Sequence, residues 1–174
     1  MSGTDLKRSP SSAARLAAVQ ALYEVDVAGA PAEDVLKTFK DTRWESFLAE
    51  LGAELAEMGD ELPRLPPPEN RLLRAIVRGV DGHRSELDEL IQAHMGGAEP
   101  FRQLEDVMKC ILRAAAFEVV HAPKTPVAAI ASEYVTIANA FFTENQPRLV
   151  NAVIEVVVVR AQRQHYTDDE DYYA

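Results

Sequence analysis

The residues able to do chemistry in this 174-residue chain are four histidines, one cysteine and 28 carboxylates. His83, His94, His121 and His165 include no pair at i, i+4 with a glutamate between, the spacing by which one helix face holds zinc for peptide hydrolysis. Each reads as a surface or helix-end residue. Cys110 stands beside Ile111 and Leu112 with no histidine nearby, the setting of a buried, inert thiol rather than a nucleophile. A single cysteine can neither close an intramolecular disulfide nor supply the Cys pairs of a zinc site, and it points to a reducing, cytoplasmic compartment. Gly96 and Gly97 lead into Ala98, Glu99 and Pro100 without the Lys-Ser/Thr of a phosphate loop. Glu86, Asp88 and Glu89 read as a solvated face, and the acidic run from Asp168 to Asp171 as a tail. The expectation is therefore no catalytic constellation, no metal and no cofactor: a binding protein, not an enzyme.

Binding chemistry is present but local. Eighteen Lys and Arg against 28 Asp and Glu give a net charge of -10, which repels a nucleic acid's phosphates on average and excludes a globally basic binder. Residues 1 to 16 nevertheless hold Lys7, Arg8 and Arg15 against Asp5 alone. On an arm that orders when it binds, these are candidate RNA phosphate contacts; their spacing alone reads more simply as the charges of a solubilising arm. A second polar group, Asn145, Gln146 and Arg148, falls at the opening turn of the last helix, where exposed amides and the helix dipole attract anions, or where the polar groups simply cap the helix.

The elements that must carry these residues are helices. Residues 1 to 11 lack apolar periodicity and read as a flexible arm. From Ser12, Leu16, Val19, Tyr23 and Val27 recur at helical spacing until Gly29 and Pro31 stop the helix. A short or irregular helix follows from Ala32, and then a stripe of Trp44, Phe47, Leu48, Leu51, Leu55 and Met58, ended by Pro63 and Pro66 to Pro68. Leu72 to Ile91 read as one long helix, weakened at Gly79 and Gly82. Leu104 to Ala115 form the next, Thr125 and Pro126 open another, and Pro147 opens the last. The run Val156 to Val159 alone favours a strand, yet Val150, Val153, Ile154, Val157 and Ala161 keep helical spacing, which predicts a helix despite about half a kcal/mol of propensity lost per valine. The chain is thus read as all-α, with the arm, one helical domain over 12–163 and a disordered acidic tail over 164–174. No apolar run is long enough to span a membrane.

Several segments in order resemble the NusB family of bacterial transcription antitermination factors. AAVQALYEV (17–25) is similar to the family's first-helix signature, ILRAAAFEV (111–119) to its central Leu-Arg-x-Ala-x-aromatic-Glu helix, and PVAAIASEYVTIANAFF with NQPRLVNAVI (145–154) to its C-terminal signature. The resemblance implies a compact bundle of about seven helices, built as two packed small bundles without an active site. It implies a function by assembly: pairing with the ribosomal protein NusE, binding boxA RNA of nascent ribosomal RNA transcripts, and joining elongating RNA polymerase with other Nus factors to suppress premature termination.

By position, the family's arginine-rich RNA motif falls on Lys7 through Arg15, diluted here by Ser9, Pro10, Ser11 and Ser12. The RNA contacts expected are Lys7, Arg8, Arg15, Tyr23 and Arg148, with Tyr23 also readable as core. Partner contacts expected from the central helices are Glu105, Asp106 and Glu118, acidic candidates for a basic ribosomal protein that read equally as a solvated face. Met108, Phe117, Ser132 and Ala152 depart from the family pattern, whereas Glu118, Glu133, Arg148 and Asn151 keep it; residues 42 to 68 look like an added helix. Two other readings stand beside this one. One is a helical interaction or self-association module, a homodimer for example, that has lost strong RNA binding; the other is a fragment of a ribosomal RNA methyltransferase, for which no glycine-rich cofactor loop is present.

Overall fold

A computed structural model describes residues 6–122, 124–143 and 145–172, with side chains described as far as residue 162. Helix α1 (Pro10–Ala28) starts two residues before the expected Ser12 because Ser9 caps it: the Ser9 hydroxyl accepts from the Ser12 amide at 3.1 Å, and Pro10 occupies the first turn, where a missing N–H costs nothing. Gly29, in the left-handed region at φ 63°, ends it. The expected one-sided stripe gives way to a first half buried all round. Ala13, Ala14, Ala17, Ala18 and Ala21 are buried together with Leu16, Val19 and Leu22, while Val27, expected inward, is exposed. Small side chains let neighbouring helices approach from every direction, so α1 is a central strut rather than a surface helix.

Helix α2 (Ala32–Thr38) runs through a π-helical turn, Phe39–Arg43, into α3 (Trp44–Glu57). The irregularity expected there is one extra residue in the helical ladder, which brings Phe39, Trp44, Phe47, Leu51 and Leu55 all onto the buried side. Met58, expected inward, is exposed. The proline-rich connection then returns to the front of the molecule, where the Glu69 amide donates to the Pro10 carbonyl at 2.9 Å.

The long helix read over 69–96 is two helices, α4 (Asn70–Gly82) and α5 (Arg84–Met95), separated at His83. Both the backbone N–H of His83 (3.0 Å) and its ring Nδ1 (2.8 Å) reach the Gly79 carbonyl, closing α4 from both directions. Gly79 is required for another reason: a Cβ there would lie 2.0 Å from the ring of Phe117, so glycine lets α4 lie directly against the helix bearing that ring. A single turn, α6 (Ala98–Arg102), precedes α7 (Asp106–His121), α8 (Val127–Phe141) and α9 (Gln146–Tyr172). Pro126 is the residue before α8 rather than its first turn. The valine run lies within α9, where Val150, Val153, Ile154 and Val157 are buried; packing outweighs the strand preference of the β-branched residues. The last helix continues without a break past the expected boundary at residue 163, beyond which side chains lie outside the description.

No strand occurs among the described residues. Helix α1 packs on α2, α4 and α7, and α7 in turn packs on α4, α5, α8 and α9, so two groups of helices share one continuous core across the α1–α7 contact. None of the described helices is long and apolar enough to cross a membrane.

Candidate nucleic-acid and partner interface

The charged residues singled out from the sequence divide by where the helices put them. Helix geometry sets the division. Arg15 and Asp26 are eleven positions apart on α1, about 20° round the helix and so on one face, while Arg113 and Glu118, five apart on α7, are about 140° apart. The α1 face therefore meets α7 at two separate points, with charges crossed so that each pairs with its opposite.

At the first point, Arg15 donates to both carboxylate oxygens of Glu118, at 2.8 and 2.9 Å, and the Tyr134 hydroxyl donates to the same carboxylate at 2.6 Å. The Arg15 side chain is 9% exposed and that of Glu118 1%. Burial works against the guanidinium's charge, but the hydrogen bond and charge of Glu118 outweigh it and hold the Arg15 pKa above its ordinary value. Burial, reinforced by the neighbouring carboxylate, pushes the Tyr134 pKa well up. The structure thus reassigns two expected surface contacts: Arg15 and Glu118 neutralise each other in the interior.

At the second point, Arg113 donates to both oxygens of Asp88 (2.7 and 3.0 Å) and to Asp26 (3.0 Å), while Arg84 pairs with the other Asp26 oxygen at 2.9 Å. Its guanidinium also lies over the Phe101 ring at 5.3 Å. Cys110 is buried beside this group and its thiol donates to Asp26 at 3.6 Å; burial, then the Asp26 charge, pushes the thiol pKa far up, which leaves it protonated and inert. The signature-like Arg113 and Glu118 are therefore the two pins that hold α1 against α7. Sequence reasoning missed Arg113, whose partners lie 25 and 87 positions away.

The remaining candidates are on the surface. Lys7 and Arg8 are exposed in the segment leading to α1, and Leu6 beside them is buried, anchoring that segment. Lys7 donates to the Ser132 hydroxyl at 3.1 Å and pairs with Glu133 at 3.3 Å, while Ser12 donates to the same Glu133 oxygen at 3.0 Å, so the arm's root lies along α8. Arg148, on the opening turn of α9, is exposed with Asn145 and Gln146. Tyr23 is half-buried against the core. Glu105 and Asp106 are exposed at the start of α7, and Asp106 pairs with Lys109 at 3.3 Å. A hollow that the sequence did not suggest lies between α2 and α4, where Lys37, Lys40 and Arg74 gather around Leu36 and Leu73. Its only acidic lining residue, Glu33, is held by Arg78. The spacing of Arg71, Arg74 and Arg78 on one helix was the available signal.

Comparison with known proteins identifies the family. A family model described as the NusB family matches residues 12–158. The transcription antitermination protein NusB of Brucella suis biovar 1 is 39% identical over 151 residues, covering 86% of this chain and 81% of the relative. That of Bradyrhizobium diazoefficiens is 36% identical over 154 residues, covering 88% and 86%. Among solved structures, T. maritima NusB superposes with a TM-score of 0.62 at 21% identity over 87% of this chain and 92% of that one. The NusB fold in a crystal structure of antitermination factors NusB and NusE with dsRNA gives 0.60 at 16% identity over 86% and 96%. On the strength of the matched span and these identities, the chain belongs to the NusB family.

Proposed function

We propose that this chain is a transcription antitermination factor that pairs with NusE and binds boxA-type RNA of ribosomal RNA transcripts, bringing the pair to RNA polymerase with other Nus factors. The observation that carries this reading is family membership across residues 12–158, supported by a complex in which the same fold is found with NusE and dsRNA. The chain's contribution is positional: it presents charges on a rigid bundle and performs no bond chemistry. Lys7, Arg8 and Arg148 are the RNA-facing cations, with the half-buried Tyr23 as the aromatic contact. Glu105 and Asp106 are the acidic contacts for a basic partner. With few cations in the arm, RNA affinity is low for the chain alone and rises when NusE adds its charge.

Mixing purified protein with NusE and boxA RNA at moderate salt is the direct test. A ternary complex on gel filtration is the expected result, and its absence with both partners competent overturns the reading. The net charge of -10 and the Lys7–Glu133 pair favour a second reading, an interaction module without strong RNA binding. Charge reversal of Lys7, Arg8 and Arg148 separates the two, since Arg15 is structural and its reversal reports on folding. Loss of RNA association in the triple variant supports the first reading; unchanged association supports the second.

A further inference from the structure

The corner between α4 and α5 holds a cluster that the assembly function does not use. His83 at the break, Glu86 in the first turn of α5 and His121 at the end of α7 place one ligating atom each within 4.8 Å of one another. We propose that His83, Glu86 and His121 form a Zn2+ site that clasps the α4–α5 corner to the end of α7.

Two imidazoles and one carboxylate are a ligand set that zinc takes, with a fourth position left for water. The tautomer of His83 suits it. Its Nδ1 lies 2.8 Å from the Gly79 carbonyl, which can only accept, so that nitrogen carries the hydrogen and Nε2 keeps its lone pair. This is also the outer bond by which metal-ligating histidines are commonly held. Nε2 of His121 lies 3.6 Å from the Glu86 carboxylate, longer than a hydrogen bond. Two ligand atoms about 2.05 Å from a tetrahedral ion stand about 3.3 Å apart, so the His121–Glu86 pair is already near ligand spacing, and atoms that lie within 4.8 Å of one another need close by no more than about 1.5 Å to share an ion.

The rings are held in place from behind. The His83 and His121 centroids are 4.3 Å apart, and Phe117 stacks on His121 at 5.2 Å while lying 6.1 Å from His83. Phe117 is itself fixed over Gly79, where no larger residue fits. The glycine, the helix break and the aromatic ring thus converge on one arrangement of three ligands, drawn from segments that the chain separates by 35 positions or more.

The site is tested by titrating Zn2+ into the chelator-treated full chain by calorimetry, with Co2+ absorption as a second readout. One saturable equivalent and a raised melting midpoint are expected. Glu86→Gln and His121→Ala should each weaken binding by roughly tenfold or more, since even an outer-shell partner commonly has an effect of that size. Both should abolish the visible Co2+ bands of a low-coordinate site while keeping the helical circular dichroism. His94→Ala and His165→Ala should change nothing. Absence of an equivalent of bound metal overturns the proposal. So does unchanged affinity in Glu86→Gln and His121→Ala, or binding that disappears in His94→Ala or His165→Ala.

Discussion

The two ends of α1 are joined to α7 by the same pairing of arginine with carboxylate, but in different surroundings. At the front, Arg15 and Glu118 are enclosed with Tyr134, and the carboxylate is 1% exposed. At the back, Arg113 shares Asp26 and Asp88, which remain 19% and 21% exposed, and Asp26 has Arg84 as a second partner. The front pair cannot fall back on water, whereas the back group is redundant and its carboxylates partly solvated. Arginine–carboxylate pairs on one helix pair thus serve as an all-or-none closure at one end and as an adjustable network at the other.

The sharpest way to break this contrast is Glu118→Ala, which strands the Arg15 guanidinium and should destabilise the protein by about 3–5 kcal/mol in urea unfolding. Arg113→Ala should be milder, roughly 2 kcal/mol, between the buried and surface limits, because Asp26 keeps Arg84 and both carboxylates reach solvent. A result in which Arg113→Ala costs more than Glu118→Ala would reverse the comparison.

Tyr134→Phe removes one hydrogen bond to a charged acceptor and should cost about 1.5–3 kcal/mol at neutral pH. Its pH dependence sharpens the point. The folded-state Tyr134 pKa lies above the unfolded value, so its stabilising effect is complete below about pH 10 and declines as the pH rises above that, where the unfolded chain releases the proton and the folded one retains it. The raised thiol pKa of Cys110 acts in the same direction at the other end. Stability measured between pH 8 and 11 should fall less steeply in Tyr134→Phe than in the parent chain. Lys7→Ala is the smallest expected effect, within about 0.5 kcal/mol, because the Lys7 side chain is exposed and its pair is screened. On the proposed function, Glu133→Gln should strengthen RNA binding at low salt by releasing Lys7 for phosphate, read as a steeper dependence of log K on log salt.

Periodicity made most helices legible, including α9, because burial of Val150, Val153, Ile154 and Val157 follows a 3.6-residue repeat that survives strand-favouring residues. The break at His83 was not legible. Gly79 and Gly82 suggested a softened helix, but the break is closed by a ring capping its own helix, and Gly79 is set by Phe117, 38 positions beyond it. The charged residues show the deeper limit. A charge on an amphipathic pattern reads as solvated by default, and only the approach of α7 to α1, 103 positions away at Arg15 and Glu118, turns such a residue inward. Surface cations such as Arg8 and Arg148 needed no long-range partner to be placed outside. The metal-ligand cluster combines both cases: Glu86 is three positions from His83, but His121 arrives from another helix.

The alanine-lined burial of α1 has a kinetic consequence. With Ala13, Ala14, Ala17, Ala18 and Ala21 enclosed by neighbours on every side, its amides should exchange with deuterium only through opening of the entire bundle. A macromolecule docking at either end then meets a surface that does not refold to receive it, so association proceeds as rigid-body encounter and little affinity is lost to ordering the receptor.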